Sequence, residues 1–477
     1  VSFHSIEYLL FLPLAVAVFF FTPHHWRWLV LVVLSMLFYA SWRVEFLSLL
    51  LFSTTLDYGA ARLMPHARRP WKMALMGLSM AGNIGLLIAF KFFTQIANDW
   101  FSAALMPDQS SSTPMLFLLP LGISFYTFQT LSYTIDVYRG KRLPERHLGH
   151  FAAYVMFFPQ LIAGPIERFG TLMPQLKREQ VWDWNRSAAG GGLFLIGLYK
   201  KLVIADGLGP LLTVWVAGAQ TNGGAYVLTI AGGTMYRYYA DLSGYADMAI
   251  GSALLMGIKL TQNFRRPFAA KSVAQFWQRW HTTVSNWFRD YVYVPLVKKM
   301  PAVPGARFAA IMLTMILVGI WHGATANWIA IGIISGFLIA FSNRGRKILV
   351  SHTSNSPLLR RSFDHIDRVL LWAAILVFGT LVAFREVDPA LAALARLPQA
   401  PAEIFLAPRE VFPFIPMYLL GAIMLLEIYQ WLDARASVHE RLITRPRWIS
   451  WGFYLALIAA IIMFGSYDNP SFLYFQF

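Results

Sequence analysis

Cysteine is absent from all 477 residues, which excludes disulfides, a Cys-ligated zinc, a thiolate nucleophile and S-acylation together; any covalent acyl intermediate on this chain has to use another residue. Charge is scarce as well, at 13% of residues against roughly a quarter in soluble domains. No low-complexity tract, heptad seam, convincing internal repeat or long polar stretch is present, so no water-soluble catalytic domain is expected. Chemistry has to occur within, or at the edge of, the hydrophobic body. No His-Glu-x-x-His occurs and the 11 histidines are scattered without ligand spacing, so no metal is expected. Gly190-Gly191-Gly192 lacks the Lys and Ser/Thr of a phosphate loop and reads as close helix packing. A Ser-His-Asp triad stays open, without a Gly-x-Ser-x-Gly elbow to support it.

What is abundant is apolar surface. Hydrophobic residues make up 57%, above the roughly 45 to 50% of soluble domains, and the 17 Trp supply interfacial anchors. Apolar runs at residues 6–21, 28–42, 46–63, 73–93, 193–215, 369–384, 417–432 and 451–464 predict an all-α polytopic membrane protein. Counting interrupted runs, roughly ten to twelve crossings plus re-entrant and interfacial helices are expected. The first run lacks a basic flank and a small-residue cleavage site, and reads as a retained helix rather than a signal peptide. One integral membrane domain is expected over 1–477, with N-terminal helices at 1–115, a catalytic core at 116–345 and C-terminal helices at 346–477.

Forty Lys and Arg against 24 Asp and Glu give a formal charge of +16. The basic residues cluster in short loops, as the positive-inside rule requires, so topology accounts for them better than nucleic-acid binding. Arg62, Arg68, Arg69 and Lys72 mark one cytoplasmic loop; Arg344, Arg346, Lys347, Arg360, Arg361 and Arg368 another; Arg435, Arg441, Arg445 and Arg447 a third. Segments 98–114, 385–413 and 466–477 then fall outside. The basic face also suits anionic lipid or a phosphorylated donor.

An ionisable side chain at the bilayer centre costs on the order of 3 kcal/mol, which makes such a residue a functional candidate. His322 lies in an apolar stretch of about thirty residues between Gly319 and Gly323, which permit a broken helix. It reads either as a packed histidine or as a base able to deprotonate a hydroxyl. Residues 276–291 place Trp277, Trp280, His281, Val284, Trp287, Phe288 and Tyr291 at helical spacing, an interfacial stripe in which His281 is either packing or function. Arg237, Asp241, Ser243, Tyr245 and Asp247 interrupt a third apolar stretch; Ser243-Gly244 suggests a break, and pairing of the carboxylates with Arg237 or with Arg265, Arg266 and Lys271 is expected over acid chemistry.

In their order, Leu119-Pro-Leu-Gly-Ile-Ser-Phe-Tyr-Thr-Phe-Gln129 with Asp136-Val-Tyr-Arg139, Phe157-Phe-Pro-Gln-Leu-Ile-Ala-Gly-Pro165-Ile-Glu-Arg168, Asp241-Leu-Ser-Gly-Tyr-Ala-Asp247, Asn263-Phe-Arg-Arg-Pro267, Phe276-Trp-Gln-Arg-Trp-His281, Arg289-Asp-Tyr-Val-Tyr-Val-Pro295, Trp321-His322-Gly323 and Tyr474-Phe-Gln-Phe477 resemble the membrane-bound O-acyltransferase family, in its bacterial branch for alginate and related polysaccharide O-acetylation. The resemblance implies a helical bowl with a central tunnel, His322 as the membrane-embedded catalytic histidine and His281 as a second, cytosol-facing one. Trp321, Trp280, Asn286, Arg289, Asp241 and Tyr245 are candidates for donor binding or the tunnel wall. One departure is Val297-Lys298-Lys299-Met300, where the family has a Gly-Gly-Asn-Arg turn.

The function so implied moves an acetyl group from acetyl-CoA, a substrate rather than a bound cofactor, across the bacterial inner membrane. A separate periplasmic partner then places it on a polysaccharide. Transfer of another acyl group such as D-alanine, and a transporter or flippase, are the rival readings.

Overall fold

The computed structural model describes residues 2–93, 120–219, 221–300, 304–352, 357–384, 386–406, 415–435 and 438–467. Segment 98–114, Leu119, Arg385 and the ending Tyr474 to Phe477 lie outside the described residues. Every regular element among the described residues is helical. The helices used below are α1 (Ile6–Phe21), α2 (Leu47–Leu63), α3 (Arg69–Leu87), α4 (Ile123–Tyr138), α5 (Trp184–Leu198), α6 (Asp206–Gly218), α7 (Gly224–Leu255), α8 (Val273–Arg279), α9 (Thr282–Phe288), α10 (Ala306–His322), α11 (Ala326–His352), α12 (Pro357–Ala383), α13 (Met417–Asp433) and α14 (Arg447–Phe464). The eight apolar runs read from the sequence fall on helices, apart from Ser41, Trp42 and Phe384 at the run ends.

Four helical stretches among the described residues are long and apolar enough to cross a membrane: Arg69–Lys91, Trp184–Gly218, Ala326–Asn343 and Arg361–Ala383. Three more apolar helices, Ile6–Phe21, Ala306–His322 and Trp448–Phe464, are shorter. Large side chains such as Trp451, Leu455, Ile462 and Met463 stay exposed on α14, which only a lipid environment tolerates on this scale.

The chain divides into two compact units, residues 1–194 with 245–261, and residues 195–244 with 262–477. In the first, hydrogen bonds hold apolar helices together. Asp57 on α2 is fully buried and accepts hydrogen bonds from the Ser79 hydroxyl and from Asn83 Nδ2 at 2.9 Å, both on α3, while Ser53 donates to Asn83 Oδ1 at 2.6 Å. Lipid supplies no hydrophobic drive between helices, so such bonds and close packing have to do that work. Several residues that carry the family resemblance are likewise structural pins: Gln129 and Gln160 both donate to the Tyr154 carbonyl, at 2.7 and 2.8 Å, and the Tyr154 hydroxyl donates to the Glu167 carbonyl at 3.0 Å. The glycine run at 190–192 packs as expected. A Cβ at Gly190 would meet the Gly251 carbonyl oxygen at 2.9 Å, and one at Gly251 the Gly190 oxygen at 2.6 Å.

Two expectations need correction here. α7 runs unbroken through Ser243-Gly244: Gly244 serves close approach, since a Cβ there would meet the Gly197 oxygen at 2.8 Å. Asp241 pairs with neither Arg237 nor the 265–271 cluster in any ion pair among the described residues. Its partner is Lys201, at 2.7 Å, which also holds Asp206 at 2.9 Å; all three are almost fully buried. A π-helical turn over Tyr199–Ala205, between α5 and α6, carries Lys201 into this position. The rule that flags His322, an ion inside an apolar run, applies equally to Lys201 and Asp206.

Candidate active site

The second unit holds both histidines. α10 ends at His322 because Gly323 takes an extended conformation while its N–H still returns to the Gly319 carbonyl at 3.1 Å; three residues later α11 starts back along α10. The break expected near the histidine thus falls at Gly323. Gly319 stays helical and makes the hairpin tight: a Cβ there would collide with the Trp328 carbonyl oxygen, and one at Gly332 would meet the Met315 oxygen at 2.5 Å. The turn returns Trp328 onto His322, ring on ring at 4.8 Å and 15°, while Trp321 stands edge-on to the same imidazole at 4.7 Å and 71°. Asn327 ties the start of α11 to α12 through a 2.7 Å bond to the Leu381 carbonyl. His322 is 7% exposed, and two indoles fix its plane.

Residues 276–291 do not form the single helix their spacing suggests. α8 stops at Arg279, and His281 takes φ 47°, left-handed and strained for a residue with a Cβ. The chain turns there because Thr282 N–H bonds the Asn263 carbonyl at 2.8 Å, while Asn263 Oδ1 accepts from the Thr283 N–H and hydroxyl at 3.2 and 3.0 Å, capping α9. His281 lies 5.5 Å from the Phe264 ring and edge-on to Trp321 at 5.9 Å and 82°. Trp321 is therefore wedged between the two histidines. His281 is 2% exposed, and burial pushes its imidazole down to about 3, so it is neutral at physiological pH.

A cavity of about 50 Å³ opens at His322, walled by α7, α8, α11 and α12 through residues including Tyr238, Phe276, Trp277, Trp280, Trp328 and Val382. Among the described residues no carboxylate lines it. A second cavity of about 920 Å³ shares Tyr238 and Val382 with it and is lined further by Thr234, Arg237, Glu386 and Asp388. The small apolar chamber at the imidazole thus adjoins a larger one that carries charged groups.

Of the tunnel and donor candidates, Trp280 and Trp321 come to this site. Asn286 is exposed on α9, Arg289 is exposed and pairs with Asp290 at 2.9 Å, and Asp241 sits in the Lys201 pairing; none of the three lines the cavity. Tyr245 belongs to the first unit, stacked on Phe3 at 4.4 Å. Lys298, Lys299 and Met300 are exposed at a helix end. Among the described residues no group of three or more His, Asp or Glu is placed to hold a metal. Sequence reasoning missed Trp328 and Tyr238 and assigned Trp277 to packing. The available signal for Trp328 was the glycine break, since a chain that reverses after His322 has to bring the next turn back against it.

An apolar helical membrane protein with a buried, ring-clamped imidazole in a small apolar chamber, next to a larger cavity that carries charged groups, has the parts of an intramembrane group-transfer protein. The chain belongs to the membrane-bound O-acyltransferase family, whose model matches residues 86–357. It is 36% identical over 329 residues to a protein named "Probable alginate O-acetylase AlgI" from Azotobacter vinelandii, covering 67% of this chain and 63% of the relative. A peptidoglycan O-acetyltransferase from Helicobacter pylori is 31% identical over 381 residues, 72% of this chain and 67% of the relative. A teichoic acid D-alanyltransferase from Streptococcus thermophilus is 33% identical over 231 residues, 45% and 55% of the two chains. The matched part therefore spans somewhat less than two thirds of the Azotobacter relative's length.

Proposed function

We propose that this protein is a multipass O-acetyltransferase of the bacterial inner membrane, with roughly ten to twelve crossings, that passes an acetyl group from a cytosolic thioester, acetyl-CoA, toward an extracytoplasmic polysaccharide through a periplasmic partner. The observation that carries this reading is His322 held between two indoles in a chamber of about 50 Å³ that adjoins one of about 920 Å³.

Neutral imidazole at 322 takes the proton from an acceptor hydroxyl as its oxygen attacks the thioester carbonyl carbon. The carbonyl oxygen gains charge; when the tetrahedral intermediate collapses, the C–S bond breaks and the leaving thiolate takes the proton back from His322. In the alternative route the imidazole nitrogen itself attacks and carries the acetyl group before the hydroxyl arrives. Both routes need the ring orientation that Trp321 and Trp328 impose. His281, neutral and one indole away, acts through Trp321 as a positioning residue. The larger cavity suits the acceptor, with Arg237, Glu386 and Asp388 available to polar groups.

Chamber size supports acetyl over longer chains. At roughly 10–15 Å³ per water-sized group, about 50 Å³ takes on the order of four such groups, room for acetyl and too little for a fatty acyl chain. D-alanyl transfer, the activity named for the streptococcal relative, would bring an ammonium into walls whose described residues include no carboxylate. The experiment is His322→Ala in the producing cell, with ester-linked acetate on the exported polymer read by mass spectrometry. We expect a loss of about a hundredfold or more with the protein still present in the membrane. Retained acetylation refutes the reading, and export of polymer that simply tracks the protein's abundance points to a transporter.

A further inference from the structure

Among the described residues that line the small chamber with His322, Trp277 carries a polar hydrogen that packing does not explain. Trp277 Nε1 is buried and has no hydrogen-bond acceptor among the described residues, although Trp277 lines the chamber together with His322. Indole nitrogen only donates. A Phe or Leu at 277 would fill the same space without burying a donor, and a buried donor that the protein leaves unsatisfied calls for a specific reason. The neighbouring indoles have other tasks: Trp328 lies flat on the imidazole with its pyrrole edge against Gly323, and Trp280 stacks on Phe276 at 5.4 Å and 20°. Trp277 instead meets Phe276 edge to face, at 5.8 Å and 86°, on the same short helix, α8.

We infer that the Trp277 N–H is the hydrogen-bond donor to the acyl carbonyl oxygen, a catalytic residue that steadies the oxyanion formed beside His322. The inference rests on the acyltransfer reading and deepens it. In both routes the C=O double bond opens as the nucleophile adds, its electron pair moves to oxygen, and it re-forms as the C–S bond breaks. The donor is therefore needed at one place whether a hydroxyl oxygen or the imidazole nitrogen attacks. A neutral donor also suits these walls: a Lys or Arg in so apolar a chamber would need its own counter-ion, whereas an indole brings a directed N–H on a ring that otherwise packs as a hydrophobe.

The test uses inverted membrane vesicles from the producing cell, fed labelled acetyl-CoA, with acetyl incorporation into polymer giving kcat and KM. Trp277 is replaced by Phe, by His, and by benzothienylalanine, whose sulfur takes the place of the N–H in a ring of the same shape. The expected result is a fall in kcat on the order of a hundredfold for the benzothienyl and Phe forms, with unchanged KM for acetyl-CoA and unchanged melting temperature. Trp277→His, which keeps a ring N–H, recovers part of what Trp277→Phe loses. Wild-type kcat in the benzothienyl form overturns the inference, because shape alone then suffices. A raised KM at constant kcat overturns it too, and so does a His form no better than Phe should the benzothienyl form fail to accumulate. His322→Ala in the same vesicles separates the two levels: transfer surviving there removes the acyltransfer reading and this inference with it, whereas transfer lost there but kept in the benzothienyl form removes only the role of Trp277.

Discussion

Replacing Gly332 by alanine drives a methyl group into the backbone that carries His322. The added Cβ would lie 2.5 Å from the Met315 carbonyl oxygen and 3.1 Å from Ile316 Cα, where ordinary contact begins near 3.4 Å. Both obstacles are main chain of α10, so no rotamer change relieves them. The hairpin has to open by about 0.9 Å (3.4 − 2.5) at this level. Overpacking of this kind costs about 1–3 kcal/mol of stability. The consequence for catalysis is larger, because Trp328 lies one turn before Gly332 on α11 and stacks on His322 at the end of α10. Opening the hairpin slides the two rings apart, and a misplacement near 1 Å costs on the order of a hundredfold in rate. The assay is acetyl transfer per mole of membrane-inserted protein, with thermal unfolding in detergent alongside. Gly336→Ala is the control: its nearest neighbour is Met312 Sδ at 2.9 Å, a flexible tip that moves aside, while main chain comes no closer than Met312 Cα at 3.3 Å, and a loss below about tenfold is expected. Gly332→Ala with near-native transfer would refute the claim that hairpin closeness sets the imidazole geometry.

The buried His281 predicts a stability that depends on pH. Burial lowers its folded-state value to about 3 from roughly 6.5 in the unfolded chain. The unfolded form therefore binds more protons below 6.5, and stability is full above that pH and lost as pH falls toward 3. Between pH 7 and pH 5 the loss is about 2 kcal/mol; His281→Asn removes that share of the slope, seen as parallel melting curves at the two pH values. Lys201→Met leaves Asp206 and Asp241 buried without their shared cation, at a cost of about 3–5 kcal/mol, so the variant should fail to accumulate in membranes. Adding Asp206→Asn and Asp241→Asn should recover part of its abundance on immunoblots, and no recovery would show that the triad is not the cause.

Much of this protein is legible without coordinates because the membrane constrains each segment locally. Residues 6–21 and 417–432 are helices in the sequence and in the structure for one reason: in hydrocarbon, each backbone N–H and C=O needs a partner within its own segment. His322 stands out on the same grounds, as a costly group in an apolar run with glycines on either side. Trp280 and Trp321 were also within reach, as neighbours of the histidines in short motifs. What local rules cannot supply is the partner of a side chain that lies far away in sequence. Lys201 rather than Arg237 holds Asp241, because a π-helical turn rotates it inward. Residues 276–291 break at His281, because Asn263, far upstream, captures the Thr282 and Thr283 amides. Asn286 and Arg289 share the motif stretch yet are exposed, because helical phase decides which side of the chain after His281 packs inward. Composition and periodicity determined that the chain is helical, apolar and armed with a histidine. Only tertiary packing decided that Trp328 lies on that histidine, that Trp277 shares its chamber and that the chamber is small. Those facts depend on how closely α10 and α11 approach, a distance set by what meets across the gap rather than by either segment alone.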